Sequence, residues 1–153
     1  MAGKLIILEG TDASGKSTQF ALLKERLKKD GVDFRTVAFP RYEEDSSALI
    51  RMYLGGAFGT DPNAVNAYMA STFFAVDRCA SYLGDWKAYY EAGGTLLFDR
   101  YTTSNAVHQG SKLPESEREK FFAWLFDFII GFLGYLRPTR CFCSICLWHS
   151  AKS

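Results

Sequence analysis

A chain of 153 residues, 48% of them apolar and 23% charged, has the material for one folded domain with a moderate core and is not a disordered segment. Lysine and arginine total 18 against 17 acids, and the net charge of +1 argues against a broadly basic surface for nucleic acid. The apolar run at residues 5–8 stops at Glu9, too early for a signal-peptide core, and the greasy stretch 121–136 is interrupted by Asp127, so a soluble cytoplasmic protein without membrane partners is expected.

Residues 4–9 form the first predicted element. Leu5, Ile6, Ile7 and Leu8 are continuous apolar residues, as in a parallel strand covered on both faces. Residues 10–16 make a tight loop, and 17–30 a helix with Phe20, Leu23 and Leu27 on one face and Gly31 as its stop. A second strand is predicted at 34–39, ended by Pro40. A short helix over 46–54 leads to a glycine-rich turn at 55–59. Pro62 suits a first helical turn, and a long helix is predicted from Asn63 to about Leu83. More helix leads to Gly93 and Gly94, then a third strand at 95–98 with Asp99 and Arg100 at its carboxyl end. Pro114 opens a last helix, with Glu115, Glu117 and Glu119 near its positive N-terminal end. Strands alternating with helices predict an α/β fold, a parallel sheet flanked by helices, in which ligands bind beyond the carboxyl ends of the strands. The loop at Gly10, the turn at Pro40 and the pair Asp99-Arg100 all fall there.

Gly10, Thr11, Asp12, Ala13, Ser14, Gly15, Lys16 and Ser17 match G-x-x-x-x-G-K-[ST] at every fixed position, with Thr18 following. Glycines let the backbone curl so that its N–H groups point at phosphate oxygens, and the next helix adds its N-terminal partial charge. Lys16 is expected to reach the β- and γ-phosphates of ATP, and Ser17 to hold Mg²⁺. A strand before and a helix after supply the context of a P-loop NTPase fold. The motif by itself leaves kinase, ATPase and GTPase open.

Four separated patches narrow the class: LEGTDASGKSTQ at 8–19, FPRY at 39–42, FFAVDR at 73–78 and DRYTTSNAVHQG at 99–110. Through these, residues 3–127 resemble the thymidylate kinases. The resemblance implies phosphoryl transfer from ATP to thymidine 5′-monophosphate (dTMP), giving ADP and dTDP, and it implies a homodimer. It implies that Phe74 stacks on thymine and that Arg78 hydrogen-bonds a base carbonyl. Positions 74 and 78 are i and i+4, so both leave one helix face. It also implies that Phe39 and Pro40 wall the base pocket, that Asn105 meets the base edge and that Asp12 meets the sugar 3′-hydroxyl. Arg100 would grip the acceptor phosphate, with Asp99 organising Mg²⁺ and that arginine. Arg41 is either a phosphate contact or a solvated loop charge. His108 stands where many members carry a tyrosine against the sugar 2′ position. A related nucleotide or deoxynucleoside kinase, and a nucleotide-binding fragment without catalysis, remain open.

The composition breaks near residue 128. All 17 acids lie at or before Asp127, whereas the last 26 residues hold three of the four cysteines and none of the acids. Cys79 in the body offers no disulfide framework. Cys141, Cys143 and Cys146 with His149 could supply four zinc ligands, but the spacing is cramped. The expectation is a P-loop core over 1–127 and an atypical tail over 128–153, without a strand and without family resemblance. The fold would then be incomplete at the C-terminus and the lid absent. The loop carries no basic residue before Lys16, so this type would rely on lid arginines, and a cation there is worth about 10³–10⁵ in rate. Weak activity or none is therefore expected of the chain.

Overall fold

The computed structural model describes residues 3–10, 13–61, 63–132 and 139–143. Thr11 and Asp12 of the loop, Pro62, and the tail residues Arg137, Cys146 and His149 lie outside them.

The chain divides into two compact units. The first contains β1 (Lys4–Glu9), α1 (Lys16–Lys29), β2 (Phe34–Ala38), α2 (Lys87–Glu91), β3 (Thr95–Asp99) and β4 (Arg140–Cys143). These strands form one parallel sheet in the order β2-β3-β1-β4. In register, Leu8 of β1 stands beside Asp99 of β3, and Ala38 of β2 beside Asp99 on the other side. Leu5, Ile7, Leu96, Leu97 and Phe98 are buried, as the unbroken apolar runs of β1 and β3 require of strands covered on both faces. The ring of Tyr89 in α2 lies under the Arg35 guanidinium, 4.1 Å from its centroid, and so ties this helix to β2.

Gly3 enters β1 against the backbone that precedes β3. A Cβ there would lie 2.3 Å from the Gly94 carbonyl oxygen and 2.8 Å from that of Tyr90. Both obstacles are backbone, and the Gly3 N–H donates to the Tyr90 carbonyl at 3.0 Å, so neither can move away without loss. Gly3→Ala is expected to destabilise the fold by about 1–3 kcal/mol, read as a lower urea midpoint with an unchanged slope.

The tail departs from expectation, because Arg140–Cys143 is a strand paired in parallel with β1. Strand pairing is made by backbone groups, and β1 presents a full row of them on that side. Thr139 starts the ladder: its N–H donates to the Leu5 carbonyl at 2.9 Å and its Oγ1 accepts the Leu5 N–H at 3.0 Å. An edge strand does not need the strict alternation that a half-buried strand shows, and Phe142 remains 56% exposed.

The second unit holds residues 39–85 and, among those described, 105–132. A short 3₁₀ turn, Asp45–Ser47, leads into α3 (Ala48–Leu54). The long helix α4 runs over Ala67–Ser81, four residues later at its start than the spacing predicts. Asn and Asp side chains explain the delay, because they offer the backbone partners other than helical ones. Asp61 Oδ1 accepts the Asn63 N–H at 2.8 Å, and Asn66 Oδ1 accepts the Met69 N–H at 2.8 Å as the N-cap. A π-helical turn, Tyr82–Trp86, follows α4. Helix α5 (Thr102–Gly110) follows β3, and α6 (Glu115–Phe126) begins after Pro114 with Glu115 and Glu117 in its first turn, as predicted. Tyr68 of α4 meets Phe121 and Trp124 of α6 edge-on, at 5.2 and 4.7 Å between ring centroids.

Candidate active site

The predicted phosphate loop follows a buried strand and opens a helix, as its chemistry demands. Ala13 and Gly15 both have positive φ, 61° and 80°, so the backbone turns through left-handed conformations just before α1. Lys16, the first residue of α1, is only 8% exposed, and its ammonium is bonded to the Asp99 carboxylate at the end of β3. Ser17 and Thr18 follow on the exposed first turn. Arg100 is a non-glycine residue with φ 68°, a conformation that costs about 1–3 kcal/mol. Its N–H donates to the Leu8 carbonyl at 3.0 Å, so the strain is imposed where β3 leaves the sheet beside β1. Lys16, Asp99 and Arg100 are therefore gathered at the carboxyl ends of adjacent strands.

Glu9 was not singled out by the motif, and it belongs to the same place. It is buried, and its carboxylate accepts the Tyr101 N–H at 2.9 Å, the Ser104 N–H at 3.3 Å and the Ser104 hydroxyl. A carboxylate thus accepts N–H groups where the chain enters α5, at the positive end of that helix. The signal was present in the sequence, since an acid ending a run of buried apolar residues needs partners.

The predicted base-side residues lie in the helical unit. Phe74 is half-buried on α4, edge-on to Tyr53 at 6.4 Å, and Arg78 one turn later is 3% exposed. Phe39 is buried and Pro40 half-buried, joined by a cis peptide. Asn105 is buried, and its amide Nδ2 donates to the Ser71 carbonyl of α4 at 3.3 Å. That bond fixes the amide orientation, since the reverse would set oxygen against oxygen. Asn105 Oδ1 then has no hydrogen-bond donor among the described residues. His108 is exposed.

Arg41 is neither solvated nor loosely held. Its side chain is 19% exposed and meets three carboxylates: Asp85, Asp77 at 3.8 Å and Glu44 at 4.0 Å. A phosphate contact would require it to leave them.

Among the described residues no group of three or more His, Cys, Asp or Glu side chains is placed to hold a metal. Mg²⁺ in a nucleotide site needs less, because it keeps waters and takes one or two carboxylates plus substrate phosphates. The Ser17 hydroxyl and the Asp99 carboxylate are hard oxygen donors of that kind.

Comparison with known proteins identifies the family and the fold. The family model for thymidylate kinase matches residues 8–122. A thymidylate kinase of Mycobacterium tuberculosis is 32% identical over 135 residues, covering 88% of this chain and 62% of that protein. One from Halothermothrix orenii is 34% identical over 111 residues, covering 72% and 51%. The chain thus spans between half and two thirds of the length of these relatives. Among solved structures, a thymidylate kinase from Candida albicans matches with a TM-score of 0.63 at 23% identity, over 82% of this chain and 56% of that one. That likeness shows the fold, an α/β P-loop architecture.

Proposed function

The chain belongs to the thymidylate kinase family, and from that premise we propose that it transfers a phosphoryl group from ATP to dTMP, giving ADP and dTDP. Backbone N–H groups of residues 10–18 and Lys16 hold the donor phosphates, and Arg100 holds the acceptor phosphate. Ser17 and Asp99 are the residues that would hold Mg²⁺ together with the nucleotide phosphates, and the ion would supply positive charge to the phosphoryl oxygens. Asp12 contacts the sugar, Phe74 stacks on the base and Phe39 with Pro40 closes its edge. His108 lies toward the sugar.

One observation carries the choice of base: the buried Asn105 Oδ1 lacks a donor among the described residues, while Arg78 offers only donors. An unpaired buried acceptor costs about 1–3 kcal/mol, so the site gains by binding a group that donates to it. Thymine presents an N3–H donor beside its O4 acceptor, matching that pair. Cytosine presents an N3 acceptor beside an N4 donor, the reverse pattern.

We propose further that it is a cytoplasmic enzyme of dTTP supply acting as a homodimer. Exposed Met69 and Val76, seven residues apart on α4, give a second copy an apolar stripe to cover. Among the described residues no helix is long and apolar enough to cross a membrane.

An ADP-release assay over a panel of nucleoside monophosphates tests the proposal. Weak turnover is expected with dTMP and dUMP, and kcat/KM for dCMP is expected to be about 10²-fold lower still. Turnover with dCMP in preference to dTMP would assign a different kinase. ATP and dTMP binding without ADP release would leave a binding module only.

A further inference from the structure

Asp77 is 1% exposed and has no part in the reaction as described above. A carboxylate so deeply buried is costly unless its lone pairs are met. Here one short segment meets them. Asp77 Oδ2 accepts the Arg41 backbone N–H at 2.9 Å, and Oδ1 accepts the Ser46 hydroxyl at 2.6 Å. The Arg41 Nε stands 3.8 Å from Oδ1 and supplies the counter-charge. That segment follows directly on Phe39 and Pro40. On α4, Phe74, Asp77 and Arg78 are i, i+3 and i+4, so the three leave one helix face together. The face that carries the stacking ring and the base-reading guanidinium also grips the turn that carries the pocket wall.

We propose that Asp77 is a positioning residue for the acceptor nucleotide, holding the Phe39–Pro40–Arg41 turn on the Phe74/Arg78 face of α4, and that Arg41 serves as its counter-ion rather than as a phosphate contact. This rests on the thymidylate-site reading above. The backbone bond sets the path of the turn, and the Ser46 bond sets its return toward α3. The charge holds the guanidinium at the helix, and the exposed carboxylates of Asp85 and Glu44 also meet it. An asparagine at position 77 would keep an acceptor for the Arg41 N–H and a partner for Ser46, but would lose the charge.

Calorimetric titration with dTMP and, separately, with ATP tests the proposal. Asp77→Ala is expected to weaken dTMP binding about 30-fold or more while ATP affinity stays within about twofold, because a lost charge-assisted bond weighs on the order of 10–100-fold. Asp77→Asn is expected to recover most of the loss, which a merely destabilised fold would not do. Arg41→Ala combined with Asp77→Ala is expected to bind dTMP no worse than Asp77→Ala alone. If Asp77→Ala does not fold, Ser46→Ala and Asp77→Asn carry the test, each with a dTMP loss of about three- to tenfold and ATP binding intact. Equal losses for both nucleotides, unchanged dTMP binding, or multiplying losses in the double variant would each overturn it. Phe74→Ala and Arg78→Ala separate the two levels of the reading. If they weaken dTMP binding and the Asp77 variants do not, the positioning role alone falls; if they have no effect, the thymidylate site falls with it.

Discussion

Lys16→Ala is expected to lower ATP affinity about 10²–10³-fold, the equivalent of about 3–4 kcal/mol. Two losses combine in that figure. The only basic side chain in the G-x-x-x-x-G-K-S loop disappears, and no neighbouring loop residue offers another cation for donor phosphates to meet. The Asp99 carboxylate also loses its partner, leaving an uncompensated negative charge beside the place where more negative charge must bind. The fold should largely survive, because the ladders joining β1, β2 and β3 run through the backbone and not through Lys16. Calorimetric titration with ATP, beside a urea curve for each protein, distinguishes the two effects. Equal ATP affinity in variant and parent would remove the phosphate-loop assignment.

Arg78→Ala is expected to remove most of the preference for dTMP over dCMP, a change approaching about 10²-fold in relative affinity. The guanidinium is buried, so a base group placed against it would be met in a dry setting, where a mismatch costs most. With donors removed, a base carbonyl has no advantage over an amino group at that position. Asn105 would keep some discrimination through its Oδ1, so the residual preference measures the share of that acceptor. Because truncating a buried arginine also weakens packing, Arg78→Lys belongs in the same experiment. It keeps the charge and the apolar stem but loses the planar fork, and an intermediate preference is expected. Unchanged preference in folded Arg78→Ala protein would place the base elsewhere.

The gripping of Arg41 shows what a list of residue types leaves out. In the sequence, FPRY and FFAVDR are separate patches, and Arg41 reads equally well as a phosphate contact or a solvated charge. The structure joins them through Asp77, whose oxygens take the Arg41 N–H and the Ser46 hydroxyl. The acid was visible one position before Arg78, but its partners come from a segment more than thirty residues away. Glu9 is similar: the strand that carries it was legible, and its bonds to Tyr101 and Ser104 were not.

The sequence by itself determined the elements whose cause is local. The apolar runs of β1 and β3 specify buried parallel strands, the loop glycines specify a phosphate-binding turn, and Pro114 with its following acids specifies the start of α6. It also determined which residue types stand at the strand ends, since Lys16, Asp99 and Arg100 follow from motif and element order alone. Only the tertiary structure decided the rest. It paired Lys16 with Asp99, turned Arg100 into a left-handed conformation against Leu8, and fixed the Asn105 amide through Ser71. It also made a strand of Arg140–Cys143, whose side chains show no strand pattern. The physical reason is the same in each case: buried charges and unpaired backbone edges are satisfied by whatever partner the fold brings near, and sequence spacing does not record that distance.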